Sequence, residues 1–213
     1  MINKNSCSML IVGVGGQGTL LAGRVIGNLA ARRGLDVKVS EVHGMSQRGG
    51  SVVTYVRYAG RVASPLVEPG EADVIIAFEL LEAARWIDYL KPGGKAAVNS
   101  QQIDPMPVIT GEAAYPGGLV ETVRAKCPDA VIVDALSAAV ECGSSRAVNF
   151  VLLGAASAYM GFSRDEWLSC IRDVTPRRAA NPARTLEINL AAFDRGVGFA
   201  VDREATMREA EKL

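Results

Sequence analysis

The chain has 213 residues, 49% of them apolar, 22% charged and 22 of them glycine, a length that suits one globular core able to bury about 70% of its extended surface. Lys+Arg and Asp+Glu balance at 23 each, which argues against a strongly basic nucleic-acid module and against an acidic solvating segment. The four cysteines, at 7, 127, 142 and 170, form no C-x-x-C pair and His43 is the single histidine, so no chain segment offers the ligand cluster of an iron–sulfur centre or zinc ribbon.

Residues 1–8 read as a polar, flexible leader, and the apolar run 9–14 as a strand that ends in the glycine sequence G-V-G-G-Q-G at 13–18. Over 19–33, Leu20, Leu21, Val25, Ile26, Leu29 and Ala30 recur at helical spacing, and Gly34 stands where a helix-ending glycine belongs. A second strand is expected over 35–42, a loop over 43–50 and a third strand over 51–58. Eight residues are too few for a crossover helix, which predicts that the third strand runs antiparallel or lies at a sheet edge. Residues 73–78 read as a strand covered on both faces, 80–90 as a helix stopped by P-G-G at 92–94, and 95–99 as a further strand. The proline-containing stretch 100–116 is a long connection with room for a short strand. It precedes a helix at 118–126, a strand at 130–134 and helices at 147–160, 165–173, 185–196 and 203–212.

This order predicts an α/β fold, a Rossmann-like three-layer mixed sheet with an antiparallel or edge strand and a helical C-terminal part. One domain is expected over 9–196 and a helical tail over 197–213. No run approaches the roughly 18 apolar residues of a membrane span and no secretion signal stands out. Scattered cysteines suit free thiols, so the expected setting is the cytoplasm, with no membrane or nucleic-acid partner.

Two glycine-bearing loops carry the chemistry. Gly13, Gly15 and Gly18 match G-x-G-x-x-G, a turn that exposes backbone N–H groups at a helix start, where an anion can sit; Gly16 and Gln17 complete it. Asp36 and Glu41 are the candidates for the acidic residue that would bind a ribose, the first early in the second strand and the second somewhat late. No lysine follows the glycines, so phosphoryl transfer is not supported. Close strand–helix packing, binding of an anionic or phosphorylated group, and binding of a nicotinamide dinucleotide all remain open readings. In the second loop, Arg48 followed by Gly49 and Gly50 can present a guanidinium and backbone N–H groups to a carboxylate or phosphate. His43 could donate a hydrogen bond or relay a proton. The alternative is a packed interface loop in which His43 and Arg48 bond to backbone carbonyls.

Glu79, at a strand end before a helix, is a candidate for the ligand crevice or for a helix cap. Glu82 and Arg85 are spaced as a surface pair, and Asn149 could cap its helix or cross an interface. No metal ligands are assigned, and Cys127, Cys142 and Cys170 read as buried thiols.

The sequences G-V-G-G-Q-G-T-L-L-A, S-E-V-H-G-M-S-Q-R-G-G-S-V and A-D-V-I-I-A-F-E, in this order and spacing, resemble the small, gamma-type subunit of the 2-oxoacid:ferredoxin oxidoreductases, most closely the indolepyruvate-oxidising form. The resemblance spans about residues 9–190. It implies a chain that supports assembly of a complex and access of coenzyme A or substrate to the site. The partner it implies is a larger subunit that binds thiamine diphosphate, Mg2+ and [4Fe–4S] clusters, with ferredoxin as electron acceptor. The reaction implied is oxidative decarboxylation of an aryl 2-oxoacid to an acyl-coenzyme A. Arg48, Gly49 and Gly50 would then approach the partner's cofactor region, with no bond-making step assigned to them. A stand-alone nucleotide-binding dehydrogenase and a purely structural assembly module are the competing readings.

Overall fold

The computed structural model describes residues 5–44, 49–176 and 180–210. Its centre is a six-stranded sheet in the order β2-β3-β1-β4-β5-β6, formed by β1 (Cys7–Val14), β2 (Asp36–His43), β3 (Ser51–Ala59), β4 (Ala72–Ala77), β5 (Leu90–Asn99) and β6 (Val131–Val133). β4, β5 and β6 continue from β1 in parallel, whereas β3 runs antiparallel to both β1 and β2. The short 43–50 connection thus forces the antiparallel strand that its length predicts. That strand does not lie at an edge, however. β3 sits between β1 and β2, and β2 is left as the edge strand.

Alternation along β1 divides the core. Met9 and Ile11 face one layer, with α1 (Thr19–Arg32), α5 (Ala135–Glu141), α6 (Val148–Ser157), α7 (Arg164–Val174) and α8 (Pro182–Ala210). Leu10 and Val12 face the other, with α2 (Leu80–Trp86) and α4 (Leu119–Lys126). This is the period-two logic of a sheet buried on both faces. α1 ends as its glycine predicts: Gly34 has φ +74° and the N–H groups of Gly34 and Leu35 reach the carbonyls of Ala31 and Ala30. Arg33, at the end of α1, makes a two-pronged ion pair with Glu166 of α7, with both N···O distances 2.6 Å. Hydrogen bonding from Arg33 holds the Glu166 carboxyl down at about 2. Glu166 also closes a capping box with Ser163, so one carboxylate starts α7 and ties it to α1.

Several expected boundaries move, each for an identifiable reason. Cys7 and Ser8 belong to β1 and not to a leader: Ser8 donates its N–H to Asp73 at 2.7 Å, and Cys7 is buried. The helix expected over 80–90 stops at Trp86, a 3-10 turn follows at Ile87–Tyr89, and the P-G-G sequence lies inside β5. Gly93 adopts φ +76° there, and the β4–β5 register shifts between Ala72 and Val74, so the glycines make an irregularity in a strand rather than a helix stop. The connection after β5 holds no strand but the one-turn helix α3 (Met106–Ile109). α5 was not anticipated, being only seven residues long. The two helices expected near the C-terminus are one, α8, which runs without a break through the expected 196/197 boundary.

Candidate functional site

β1, β4, β5 and β6 all end at the same edge of the sheet, where His43 also closes β2 and Ser51 opens β3. Open α/β sheets place their ligands beyond this edge. At Gly13 and Gly18 the glycine turn is built by contacts that leave no room for a side chain. A Cβ on Gly13 would lie 2.9 Å from the Phe78 Cβ and 2.8 Å from Gln17 Oε1. Gly18 has φ +88°, and a Cβ there would stand 2.8 Å from Asn149 Nδ2. Gly16 has φ +102° with open space around it.

Gln17 braces this turn. Its Oε1 accepts from Val14 N at 2.7 Å, and its Nε2 donates to the Phe78 carbonyl at 3.0 Å. The same carbonyl accepts from Asn99 Nδ2 at 3.1 Å, while Asn99 Oδ1 takes the N–H of Ala135 at the start of α5. The Phe78 carbonyl is therefore a node that joins β1, β4, β5 and α5. Gly50 contributes a carbonyl rather than an N–H here, accepting from Gly15 N at 2.9 Å. Gly49 adopts φ +77°. Arg48 lies outside the described residues.

α1 starts after Gly18, which offers no side-chain cap; the Gly18 carbonyl accepts from Leu21 N at 3.0 Å, which tightens the first turn. Two cavities meet at this point, both lined by Gly16 and Gly18. The first, about 420 Å³, is completed by Thr19, Glu41, His43 and Val52. Glu41 Oε2 accepts from the hydroxyls of Thr19 at 3.3 Å and Thr54 at 3.2 Å. His43 closes β2 with its side chain exposed. The second cavity, about 380 Å³, is lined on its far side by Gln101, Ser145, Arg146 and Asn149. Arg146 and Asn149 escaped the sequence reading as site residues because an exposed arginine beside an apolar helix has no pattern of its own. The Asn149 Nδ2 contact with the Gln17 carbonyl, 3.5 Å across 132 residues, exists only in the fold.

Asp36 is removed from this edge: it opens β2, accepts from Val62 N at 2.8 Å and pairs with Lys38. Because β3 separates β2 from β1, Glu41 stands one strand further out than the ribose-binding acid of the usual nucleotide fold. Glu79 is buried and caps α2: Oε2 accepts from Glu82 N at 2.8 Å, and Oε1 from Ile103 N at 3.1 Å and the Tyr115 hydroxyl at 2.5 Å. Burial first, then the bond to Glu79, raise the Tyr115 hydroxyl above its usual range. Glu82 is not a surface residue. It is buried, accepts from Ser51 Oγ at the start of β3 as well as from Arg85, and burial pushes its carboxyl up. A third cavity of about 280 Å³ runs past Gly49, Gly50, Glu79, Glu82 and Met106.

Among the described residues no three His, Cys, Asp or Glu side chains are grouped to hold a metal ion. Cys7, Cys127 and Cys170 are separately buried, and burial first, then Asp129, raises the Cys127 thiol to about 12. These residues do not fit an iron–sulfur cluster. No helix among the described residues is long and apolar enough to cross a membrane.

The sequence model of the pyruvate ferredoxin/flavodoxin oxidoreductase family matches residues 8–199. The chain belongs to this family. It is 42% identical over 197 residues to the indolepyruvate oxidoreductase subunit IorB of Thermococcus kodakarensis, with 91% of this chain and 95% of that subunit covered. Two solved structures share the fold. The gamma subunit of a keto/oxoacid ferredoxin oxidoreductase from Geobacter sulfurreducens superposes with a TM-score of 0.64 at 21% identity, covering 92% of this chain and 99% of that one. A 2-oxoglutarate:ferredoxin oxidoreductase from Magnetococcus marinus, solved with 2-oxoglutarate, coenzyme A and succinyl-CoA bound, gives 0.67 at 24% identity. There the match covers 94% of this chain but 32% of the other, so in that protein the family fold is one part of a longer chain.

Proposed function

We propose that this chain is the small subunit of a thiamine diphosphate-dependent 2-oxoacid:ferredoxin oxidoreductase acting on indolepyruvate or another aryl pyruvate. The observation that carries the reading is the end-to-end likeness to IorB, 42% identity covering 91% of one chain and 95% of the other. The larger partner subunit binds thiamine diphosphate, Mg2+ and the [4Fe–4S] clusters, which supply the decarboxylation and the electron transfer to ferredoxin. This chain contributes assembly and the glycine-turn cleft, through which coenzyme A or substrate gains access. Val42, Met106 and Ile109, large apolar side chains left exposed on segments at the ligand edge of the sheet, suit a surface that a partner covers.

Co-expression with the large subunit tests the reading. The two chains are expected to co-purify and to reduce a viologen dye with aryl 2-oxoacid and coenzyme A, faster with indolepyruvate or phenylpyruvate than with pyruvate. This chain alone is expected to be inactive. A chain that stays alone, binds no such partner and instead titrates with NAD would replace this reading with the dehydrogenase one.

A further inference from the structure

The end of α7 and the first turns of α8 enclose a further cavity, about 340 Å³, against α1 and α6. Its wall is mainly apolar. Leu21, Val174 and Ile188 pack against the core yet stay half-buried, and the buried Phe150 joins them. Apolar surface left wet inside a recess gains free energy when an apolar group covers it.

Two polar side chains give this cavity its chemistry. Arg146, on the turn Ser145–Ala147 before α6, is exposed and has no ion-pair partner among the described residues. No Asp or Glu among them lines the cavity, so it carries one uncompensated positive charge and favours a single negative one. Asn189, on α8, is only 7% exposed. Its Nδ2 donates to Thr175 Oγ1 at 3.1 Å, and that hydroxyl donates onward to the Ile171 carbonyl at 2.7 Å. Because the Thr175 proton is committed to Ile171, Asn189 meets the hydroxyl with its N–H and not with its oxygen. Asn189 Oδ1 is thereby left without a donor among the described residues, on a side chain that lines the cavity. A largely buried acceptor calls for a donor.

We propose that this cavity binds an aromatic monocarboxylate that carries a ring N–H or O–H, an indole- or hydroxyphenyl-alkanoic acid. The carboxylate pairs with Arg146, the ring lies among Leu21, Phe150, Val174 and Ile188, and the ring donor meets Asn189 Oδ1. The features select together: a fatty acid offers no donor to Asn189, and an uncharged indole offers nothing to Arg146. The volume is near the lower end of the range for small-molecule pockets, about 300–1,000 Å³, which suits one bicyclic acid. Arg146 also lines the cavity beside the glycine turn, so the two sites share a wall. The inference goes beyond the proposed function, since it gives this chain a ligand site of its own outside the glycine-turn cleft.

The test is calorimetric titration of the full-length chain with indole-3-acetate, 1-methylindole-3-acetate, indole and acetate, the folding of each variant being checked by circular dichroism. Indole-3-acetate is expected to bind and acetate not to bind. Methylation of the ring nitrogen is expected to weaken binding about tenfold, a comparison that needs no variant. Arg146→Ala is expected to weaken indole-3-acetate about tenfold while leaving indole within about twofold. Ile188 lines this cavity and neither of the two at the glycine turn, and Ile188→Trp is expected to abolish binding by filling the space. Arg124→Ala, on α4 across the sheet, is expected to leave it unchanged. Absence of indole-3-acetate binding, equal binding of the methylated acid, or an Arg146→Ala chain within about twofold of the parent would each overturn the proposal. Binding that survives Ile188→Trp would put the ligand elsewhere and overturn it as well. Co-purification with the large subunit does not depend on these titrations, so the proposed function stands or falls separately.

Discussion

Replacement of Gly154 or Gly196 by alanine is expected to lower stability by about 3 kcal/mol or more, seen as a fall of roughly 10 °C in the midpoint of thermal unfolding. The two glycines face each other where α6 crosses α8. A Cβ on Gly154 would be driven into the Phe193 carbonyl oxygen and would lie 3.0 Å from Gly196 Cα. A Cβ on Gly196 would be driven into the Val151 carbonyl and lie 2.9 Å from Ala155 N. The obstacles are backbone atoms, so no rotamer change relieves them and the helices must separate. Helix propensity alone would reward Gly→Ala by about 1 kcal/mol, and the collision exceeds that gain. Gly198, on the same helix with nothing within 4 Å, is the internal comparison. Gly198→Ala is expected to be neutral or to stabilise by up to about 1 kcal/mol. Urea or thermal unfolding followed by circular dichroism decides it. A Gly154→Ala chain as stable as the parent would show that the helices do not pack this closely.

Loss of Glu79 is the second large effect. Its carboxylate satisfies three donors drawn from separate segments: the Glu82 N–H in α2, the Ile103 N–H after β5 and the Tyr115 hydroxyl before α4. Glu79→Ala leaves these donors without an acceptor in a buried place, at a cost of about 3 kcal/mol. Glu79→Gln keeps the shape but exchanges an acceptor for a donor, so an intermediate loss is expected. An alkaline titration of tyrosine absorbance provides a second reading. With Glu79 gone, Tyr115 loses one of the causes that hold its hydroxyl un-ionised and should ionise at lower pH. Unchanged unfolding in Glu79→Ala would remove Glu79 from its place as the joint of this edge.

Much of this architecture is legible in the chain because local and tertiary demands agree. Val14 to Gly18 read as strand, turn and helix start, and Thr19 to Gly34 as a helix with its stop, because apolar spacing and glycine placement give one answer. The places that resist reading are those where a distant contact assigns a residue its role. Gly196 and Gly198 look like a break in the last helix, but Gly196 is there to admit the backbone of α6. Pro92, Gly93 and Gly94 look like a helix terminator, yet they make a strand irregularity because Leu90 and Ala72 crowd against Gly94. In the candidate site, the glycine turn and Glu41 could be found from spacing, since both sit at predictable strand ends. Glu82 could not be recognised as buried, because its partner Ser51, at the start of β3, is 31 residues away. Arg146 and Asn149 could not be joined to a turn more than a hundred residues earlier until α6 was seen against it.

The central claim is that the glycine turn meets a ligand of the reaction and does more than pack. Gly16 is the residue to change, since it has φ +102° and no neighbour within 4 Å. A valine there strains the turn without colliding with the core. In the assembled complex, Gly16→Val is expected to raise KM for coenzyme A about tenfold, with kcat at saturation and KM for the 2-oxoacid little changed and both subunits still co-purifying. A complex whose KM for coenzyme A is unaltered by Gly16→Val would contradict the account and leave the turn as packing alone.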